Sequence, residues 1–392
     1  MVKPSRTPLP PPAAGGVDVL VLAGEHSGDE HAAALVADLR NRQPGLRVAA
    51  IGGDRLAAAG AQLLHDLTAT SVVGLVEVLR HYPYFRWLFR ETLEWIAQHR
   101  PRVVVLVDYP GFNLRLAMAL KARGLSRKGG GGVAVYGYIS PQVWAWKAKR
   151  RFRLAECLDE LGVIFPFEVD CYADTTLDTR FVGHPFMQGG YASPLIYDAK
   201  APLLLLPGSR LQPISRIFPT LLEAARGAAR AGHLESATVI YPSESARALL
   251  ESLIYRVSPE GLPRIEFVRS GRETAGSAVL TSSGTMSLSC ALAGLPGAIV
   301  YRAHPLTYWI GRRLVKVPFL GIANLILNRA VYREYIQDAA TPAELVAEIA
   351  DCQKNPLRRA AAASDADALR TALSAPPDEN APQRILALME AR

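Results

Sequence analysis

One unit recurs along this chain and constrains its fold more than any other feature. A short, unbroken run of Val, Leu and Ile is followed by a small-residue turn and then by an amphipathic stretch. VDVLVLAG (17–24) passes through EHSGD into HAAALVADLRNR, and RVAAIGG (47–53) passes into DRLAAAG. PRVVVLVDYPGF (101–112) leads into NLRLAMALKARG, and GGVAVYGYIS (131–140) follows a basic, glycine-rich loop. Strands of an antiparallel sheet with one wet face alternate apolar and polar residues; continuous apolar runs mark parallel strands covered on both sides by helices. A second series opens at PLLLLPGSR (202–210) with a helix through FPTLLEAARGAARAG. SATVIYPS, RIEFVRS, AVLTSSGT and GAIVYR then supply four more strand candidates. Two successive βα series predict an α/β protein of two Rossmann-like halves. We place them at 17–190 and 200–370, joined near 186–200, where MQGGYASPLIYDAK has turn chemistry and little periodicity. Residues 1–16, rich in Pro, Ala and Gly, read as a frayed tail without the apolar core of a signal peptide.

Length and composition agree with this plan. At roughly 150 residues per domain, 392 residues suggest two. A hydrophobic share of 49%, a charged share of 20% and a mean hydropathy of +0.11 exclude a disordered chain. The excess of 44 Lys and Arg over 36 Asp and Glu gives +8, which raises nucleic acid, an anionic membrane face or a phosphorylated substrate as partner. Cys157, Cys171, Cys290 and Cys352 are far apart with no CxxC pair, so neither a disulfide framework nor a zinc site is expected, and a reducing compartment is. Ala275 to Tyr301 carries no charge and is long enough to span a bilayer. Its Thr281, Ser282, Ser283, Thr285, Ser287 and Ser289 and its Gly-Leu-Pro-Gly break fit strand, loop and helix start better.

Doubly wound sheets bind ligands at the carboxyl ends of their strands, so the loops there are the candidates for chemistry. Neither G-x-G-x-x-G nor a P-loop is present, which weighs against a dehydrogenase or a P-loop ATPase. Gly24-Glu25-His26-Ser27-Gly28-Asp29 offers free helix-start amides to an anion, or is simply a turn capped by Ser27 or Asp29. Asp108 ends the most apolar strand and suits a general base, or an Asx turn before Pro110. Trp144 and Trp146, followed by Lys147, Lys149, Arg150, Arg151 and Arg153, fit single-stranded nucleic acid, a phosphorylated amphiphile at a membrane, or two core tryptophans beside a solvated helix face. Pro207-Gly208-Ser209-Arg210 and Ser283-Gly284-Thr285 are two anion-friendly turns in one half, suited to a nucleotide diphosphate, with helix caps as the plain alternative. His304 to Lys316 mixes bulky apolar and basic residues, as a buried helix or a face dipping into an anionic bilayer would. No His, Asp or Glu cluster has metal-ligand spacing.

Together these loops resemble the lipid-A-disaccharide synthases, the family 19 glycosyltransferases of Gram-negative outer-membrane biosynthesis. The matching pieces run in order: AGEHSGD (23–29), IGGDR (51–55), VGLVEVLR (73–80), VDYPGFN (107–113), YISPQVWAWKAKR (138–150), FPFE (165–168), FVGHP (181–185), LLPGSR (205–210), SSGT (282–285), YR (301–302), and ANLILNR with YIQ (323–337). The resemblance implies a GT-B fold, two Rossmann-like domains facing a central cleft, with a C-terminal helix (371–392) returning to the first. It implies condensation of UDP-2,3-diacylglucosamine with 2,3-diacylglucosamine 1-phosphate (lipid X) into a β-1′,6-linked disaccharide and UDP, inverting and without a metal or other cofactor. Asp108 stands where the family's essential aspartate stands and is expected, with Glu25, to be catalytic; Glu25 and Ser27 belong to the family's donor or acceptor loop. Arg210, Ser283, Gly284, Thr285 and Asn324 match UDP-side positions, and Gln337 a further cleft position. Trp144, Trp146, Lys147 and Arg150 are the expected lipid or membrane residues. The implied partners are a UDP-sugar, an acylated phosphosugar and the anionic cytoplasmic face of the inner membrane, with no nucleic acid.

The chain departs from the family in places. S-G-T-x-x-L-E becomes Ser283-Gly284-Thr285-Met286-Ser287-Leu288-Ser289, without the acid that grips the UDP ribose. G-S-R-x-x-E becomes Gly208-Ser209-Arg210-Leu211-Gln212-Pro213. Ala323 replaces a proline and so does Asp54. The alternative reading is therefore a diverged GT-B relative that uses another nucleotide sugar, or an inactive lipid- or nucleotide-binding one. Charge and the paired tryptophans leave a single-stranded nucleic-acid binder as a third class.

Overall fold

The computed structural model describes residues 6–13, 15–67, 82–187, 193–304, 308–309, 317–374, 376 and 380–391. The chain divides into two compact units, Met1–Pro185 with Ala375–Arg392, and Phe186–Ser374.

In the first unit the described residues form a parallel sheet of seven strands. They are β1 (Val19–Ala23), β2 (Val48–Gly52), β3 (Gln62–Asp66), β4 (Val103–Val107), β5 (Ala134–Tyr138), β6 (Glu160–Val163) and β7 (Asp178–Phe181), in the order β3-β2-β1-β4-β5-β6-β7. Every residue of β1, β2, β4 and β5 is buried, as their unbroken apolar sequences require. Each Val or Leu of β4 placed in this core stabilises it by about 1.5–3 kcal/mol. β3, β6 and β7 were not apparent in the sequence. β7 reads Asp-Thr-Arg-Phe and lies at the sheet edge, where polar side chains are tolerated.

The final helix, Ala381–Glu390, belongs to this unit although some 200 residues separate it in sequence from β7. Arg384 forms a two-pronged ion pair with buried Glu160, at 2.7 and 2.8 Å. Arg102 and Arg127 donate to the carbonyls of Met389 and Leu388. The leader expected as a frayed tail is docked at its described end. Trp95 Nε1 donates to the Pro10 carbonyl, and Gln62 exchanges hydrogen bonds with Pro11 and Ala13.

The second unit repeats the plan with β9 (Leu203–Leu206), β10 (Ser236–Tyr241), β11 (Arg264–Arg269), β13 (Ala278–Thr281), β14 (Gly297–Tyr301) and β15 (Arg333–Ile336), in the order β11-β10-β9-β13-β14-β15, all parallel. The segment expected as a linker contributes β8 (Leu195–Tyr197), which pairs with β12 (Thr274–Gly276). The uncharged stretch 275–301 resolves into β12, β13, a helix over Thr285–Leu292 and β14. Among the described residues no helix is long and apolar enough to cross a membrane. The helix expected from Phe218 begins at Leu211 and carries Pro219 inside it. Burial of Ile214, Ile217, Phe218, Leu221 and Leu222 on one face outweighs the missing backbone donor. VGLVEVLR (73–80) and most of His304 to Lys316 lie outside the described residues.

In both sheets the chain winds outward in opposite directions from one central pair, β1 with β4 and β9 with β13. Connections leaving that pair go to opposite sides, which opens a crevice at its carboxyl end. The loops there are Gly24–Asp29 beside Asp108 in one unit, and Pro207–Arg210 beside Ser282–Thr285 in the other.

Candidate active site

Asp108 immediately follows β4 and is bent out of the strand. Asp108 (φ 44°) and Tyr109 (φ 51°) are both left-handed, a conformation that costs a non-glycine residue of order 1–3 kcal/mol. The amides of Phe112 and Asn113 donate to the Tyr109 carbonyl, at 3.2 and 3.1 Å, and three further contacts hold the pair. The Asp108 amide donates to the Tyr138 carbonyl of β5 at 3.0 Å. The Asn113 side chain donates to the carbonyls of Val107 (3.2 Å) and Asp108 (2.7 Å). The Tyr109 ring lies over Gly24, where a Cβ would sit 2.3 Å from Tyr109 Cγ. Gly24 is therefore required by close approach. Burial, and then the nearby Glu25 carboxylate, push the Asp108 carboxyl up to about 6. Glu25, His26 and Ser27 are exposed at the start of the helix His26–Arg42, whose first amides have no intrahelical partner.

Neither Ser27 nor Asp29 caps that helix. Glu25 is its N-cap, without a side-chain bond. Asp29 is buried and accepts from the amides of Gly53 (2.7 Å) and Arg55 (3.1 Å), so it caps the next helix, Asp54–Ala58, and ties the two loops together. Pairing over 24 and 26 residues leaves no local mark in the sequence.

The two tryptophans after β5 have different fates. Trp144 is partly buried, and its Nε1 donates to Glu168 at 3.2 Å. Trp146 is 47% exposed, with Lys147 Nζ 4.3 Å and Arg150 Cζ 5.1 Å from its ring centre. Phe152 is exposed beside them, under the Arg151 guanidinium. Glu168, in the FPFE turn, also accepts from the Phe165 amide at 3.1 Å. Its burial lifts the carboxyl to about 8, with the Asp108 charge a smaller contribution. The same burial draws the His184 imidazole, stacked on Phe165, down to about 3. Glu168 stands in the sequence only within the FPFE motif. An acidic residue in an otherwise apolar Phe-Pro-Phe run was the signal for it.

In the second unit Arg210 is exposed as N-cap residue of the helix Leu211–Arg230. Gly208 (φ 116°) lies close to Ser282, so the two anion-friendly turns adjoin. Ser283, Gly284 (φ 137°) and Thr285 form the partly exposed lip of the second turn. Asn324 and Gln337, also expected as ligand contacts, make internal hydrogen bonds. Asn324 is fully buried. Its Nδ2 donates to the Tyr332 carbonyl and Glu334, both at 2.8 Å, and its Oδ1 accepts from the Tyr332 amide. Gln337 exchanges two hydrogen bonds with the Ala303 backbone. In this structure both side chains hold strand-end loops. Ser289 is buried and lines, with Leu195, Tyr197, Leu292 and Arg370, a cavity of about 410 Å³ in this unit. Among the described residues no group of three or more His, Cys, Asp or Glu converges as metal ligands would.

Two Rossmann-like units with polar loops at their switch points define the GT-B class of fold. Solved structures of that build cover nearly the whole chain. A UDP-GlcNAc 2-epimerase from Neisseria meningitidis has a TM-score of 0.58 at 9% identity, covering 91% of this chain and 97% of its own. The calicheamicin glycosyltransferase CalG4 has a TM-score of 0.55 at 16% identity, covering 96% and 98%. The sequence goes further. The model of the lipid-A-disaccharide synthetase family matches residues 19–387, and the chain belongs to that family. Similar relatives include the lipid-A-disaccharide synthase of Myxococcus xanthus, 37% identical over 84% of this chain and 86% of its own length. Lipid-A-disaccharide synthase 1 of Legionella pneumophila (strain Lens) is 35% identical over 86% and 88%.

Proposed function

We propose that this chain is an inverting glycosyltransferase that joins UDP-2,3-diacylglucosamine to 2,3-diacylglucosamine 1-phosphate. Asp108 carries the reading, as a carboxylate at a switch point with its acidity moved close to neutrality, where a general base works best. Ionised Asp108 accepts the proton of the acceptor's 6-hydroxyl as that oxygen attacks the anomeric carbon of the donor. The bond from that carbon to the diphosphate breaks on the opposite face, which inverts the centre. Arg210 and the amides of the Ser283–Thr285 turn meet the charge developing on UDP. Glu25 and Ser27 line the acceptor side beside Asp108. The Trp146, Lys147, Arg150 and Phe152 surface pairs apolar rings with cations, a chemistry matched to anionic lipid, and supports peripheral work at the cytoplasmic face of the inner membrane.

The test is to incubate the purified protein with both acylated sugars in detergent, and to measure UDP release and disaccharide by mass. Asp108→Ala should cut turnover by about 10²–10⁴-fold. No disaccharide from the wild type would overturn the reading, and near-normal turnover in the variant would remove Asp108 from its role.

A further inference from the structure

The VDYPGFN stretch contributes a second polar residue that the proposed chemistry has not used. Asn113 lies on the first turn of the helix Pro110–Ala122, is 4% exposed, and faces back toward the end of β4. Its amide donates to two successive carbonyls, those of Val107 and Asp108. These oxygens flank the peptide at which the chain turns left-handed, and a strand ending normally would leave them to a neighbouring strand or to water. We propose that Asn113 is the positioning residue of Asp108, its two N–H groups holding the left-handed turn that aims the carboxylate into the site. As a role in catalysis this rests on Asp108 being the base.

Three observations favour it over simple capping. Asn113 does not cap its own helix, whose N-cap, Tyr109, accepts no side-chain bond. Two adjacent left-handed non-glycine residues persist only where the surroundings over-determine them. Without the amide, the contacts left are the backbone bond from Asp108 to Tyr138, the Phe112 and Asn113 amides on the Tyr109 carbonyl, and the packing of Tyr109 on Gly24. The charged and titratable groups facing Asp108 are Glu25 after β1, Tyr109 in its own turn and Glu168 after β6.

The test uses Asn113→Ala together with Asn113→Leu, which keeps much of the volume, has no donor and adds no charge beside Asp108. Each should lower kcat by about 10–10²-fold with KM unchanged, as a displacement of about 1 Å does. The acid limb of the kcat profile should move to lower pH, because the released carboxyl reaches water and loses the burial that raised it. Lost folded protein would lower activity equally at every pH, so a uniform loss, or normal kcat, overturns the proposal. A wild type without turnover would instead fail the proposed function. Carbon-13 titration of the Asp108 carboxyl then still decides: movement from about 6 toward the ordinary aspartate range in the variants supports positioning, and no movement refutes it.

Discussion

Gly24→Ala tests how rigidly the base is held. The new Cβ would lie 2.3, 2.4 and 2.7 Å from Cγ, Cδ1 and Cδ2 of Tyr109, whereas ordinary contact begins at 3.4 Å. Either the ring retreats by about 1.1 Å or β1 does, and β1 is fully buried and paired on both sides. The Tyr109 ring cannot swing far, because its centre is 6.2 Å from that of Phe112 and its backbone is already left-handed. Its displacement is therefore passed to Asp108, the adjoining residue. Overpacking of this size costs about 1–3 kcal/mol of stability, equivalent to several degrees in Tm for a domain of about 200 residues. A base misplaced by about 1 Å costs about 10²-fold in kcat. Turnover and thermal unfolding should be measured for Gly24→Ala, Tyr109→Ala and the double variant. In the Tyr109→Ala background the added methyl has room, so Gly24→Ala should there be nearly neutral. An equal penalty in both backgrounds, or a single variant with normal kcat and Tm, would refute the contact as the cause.

Other outcomes follow from the same geometry. The acid limb of kcat/KM should fall near pH 6, since Asp108 works ionised and its carboxyl is pushed up to about 6; a limb near pH 4 would remove the influence of burial and Glu25. Glu168, raised to about 8, holds its proton more tightly folded than unfolded, so its share of stability is full below the ordinary glutamate range and is lost as pH rises toward about 8. Denaturant titrations across that window should show the decline, and Glu168→Gln should flatten it. Arg384→Ala leaves Glu160 buried and unpaired. It should cost about 3 kcal/mol, the low end for a broken buried pair because Arg384 is partly exposed, read by urea unfolding and by faster amide exchange in residues 381–390. Trp146→Ala with Lys147→Glu should abolish retention on vesicles containing anionic phospholipid and leave turnover of detergent-dispersed substrate intact; unchanged retention would move the membrane contact elsewhere.

The sequence made the central strands plain because strands buried on both faces leave nothing to alternate. With the strand order known, the loops it singled out fall at the switch points: Glu25, Ser27 and Asp108 flank one, and Arg210 and Ser283–Thr285 the other. Partnership was what it concealed. Nothing near Asn324 and Gln337 in the sequence shows that Tyr332, Glu334 and Ala303 share their hydrogen bonds. Trp144 and Trp146 are two residues apart and chemically alike, and only the position of Glu168 separates a tethered indole from an exposed one. β7 and β3 escaped because edge strands tolerate polar residues that interior strands do not.

The pairing of Glu160 with Arg384 has a consequence for how the molecule is made. The two residues are 224 positions apart, and the whole of the second unit lies between them. At about 5–20 residues per second, a ribosome takes roughly 10–45 s to travel from one to the other. For that interval the nascent first sheet has an acidic residue in its sixth strand and an uncovered face where the last helix will lie. The second unit, continuous in sequence, emerges whole and can finish folding first. The order of completion is thus the reverse of the order of synthesis, and the unit that carries Asp108 is closed by a helix made after the whole of the second unit.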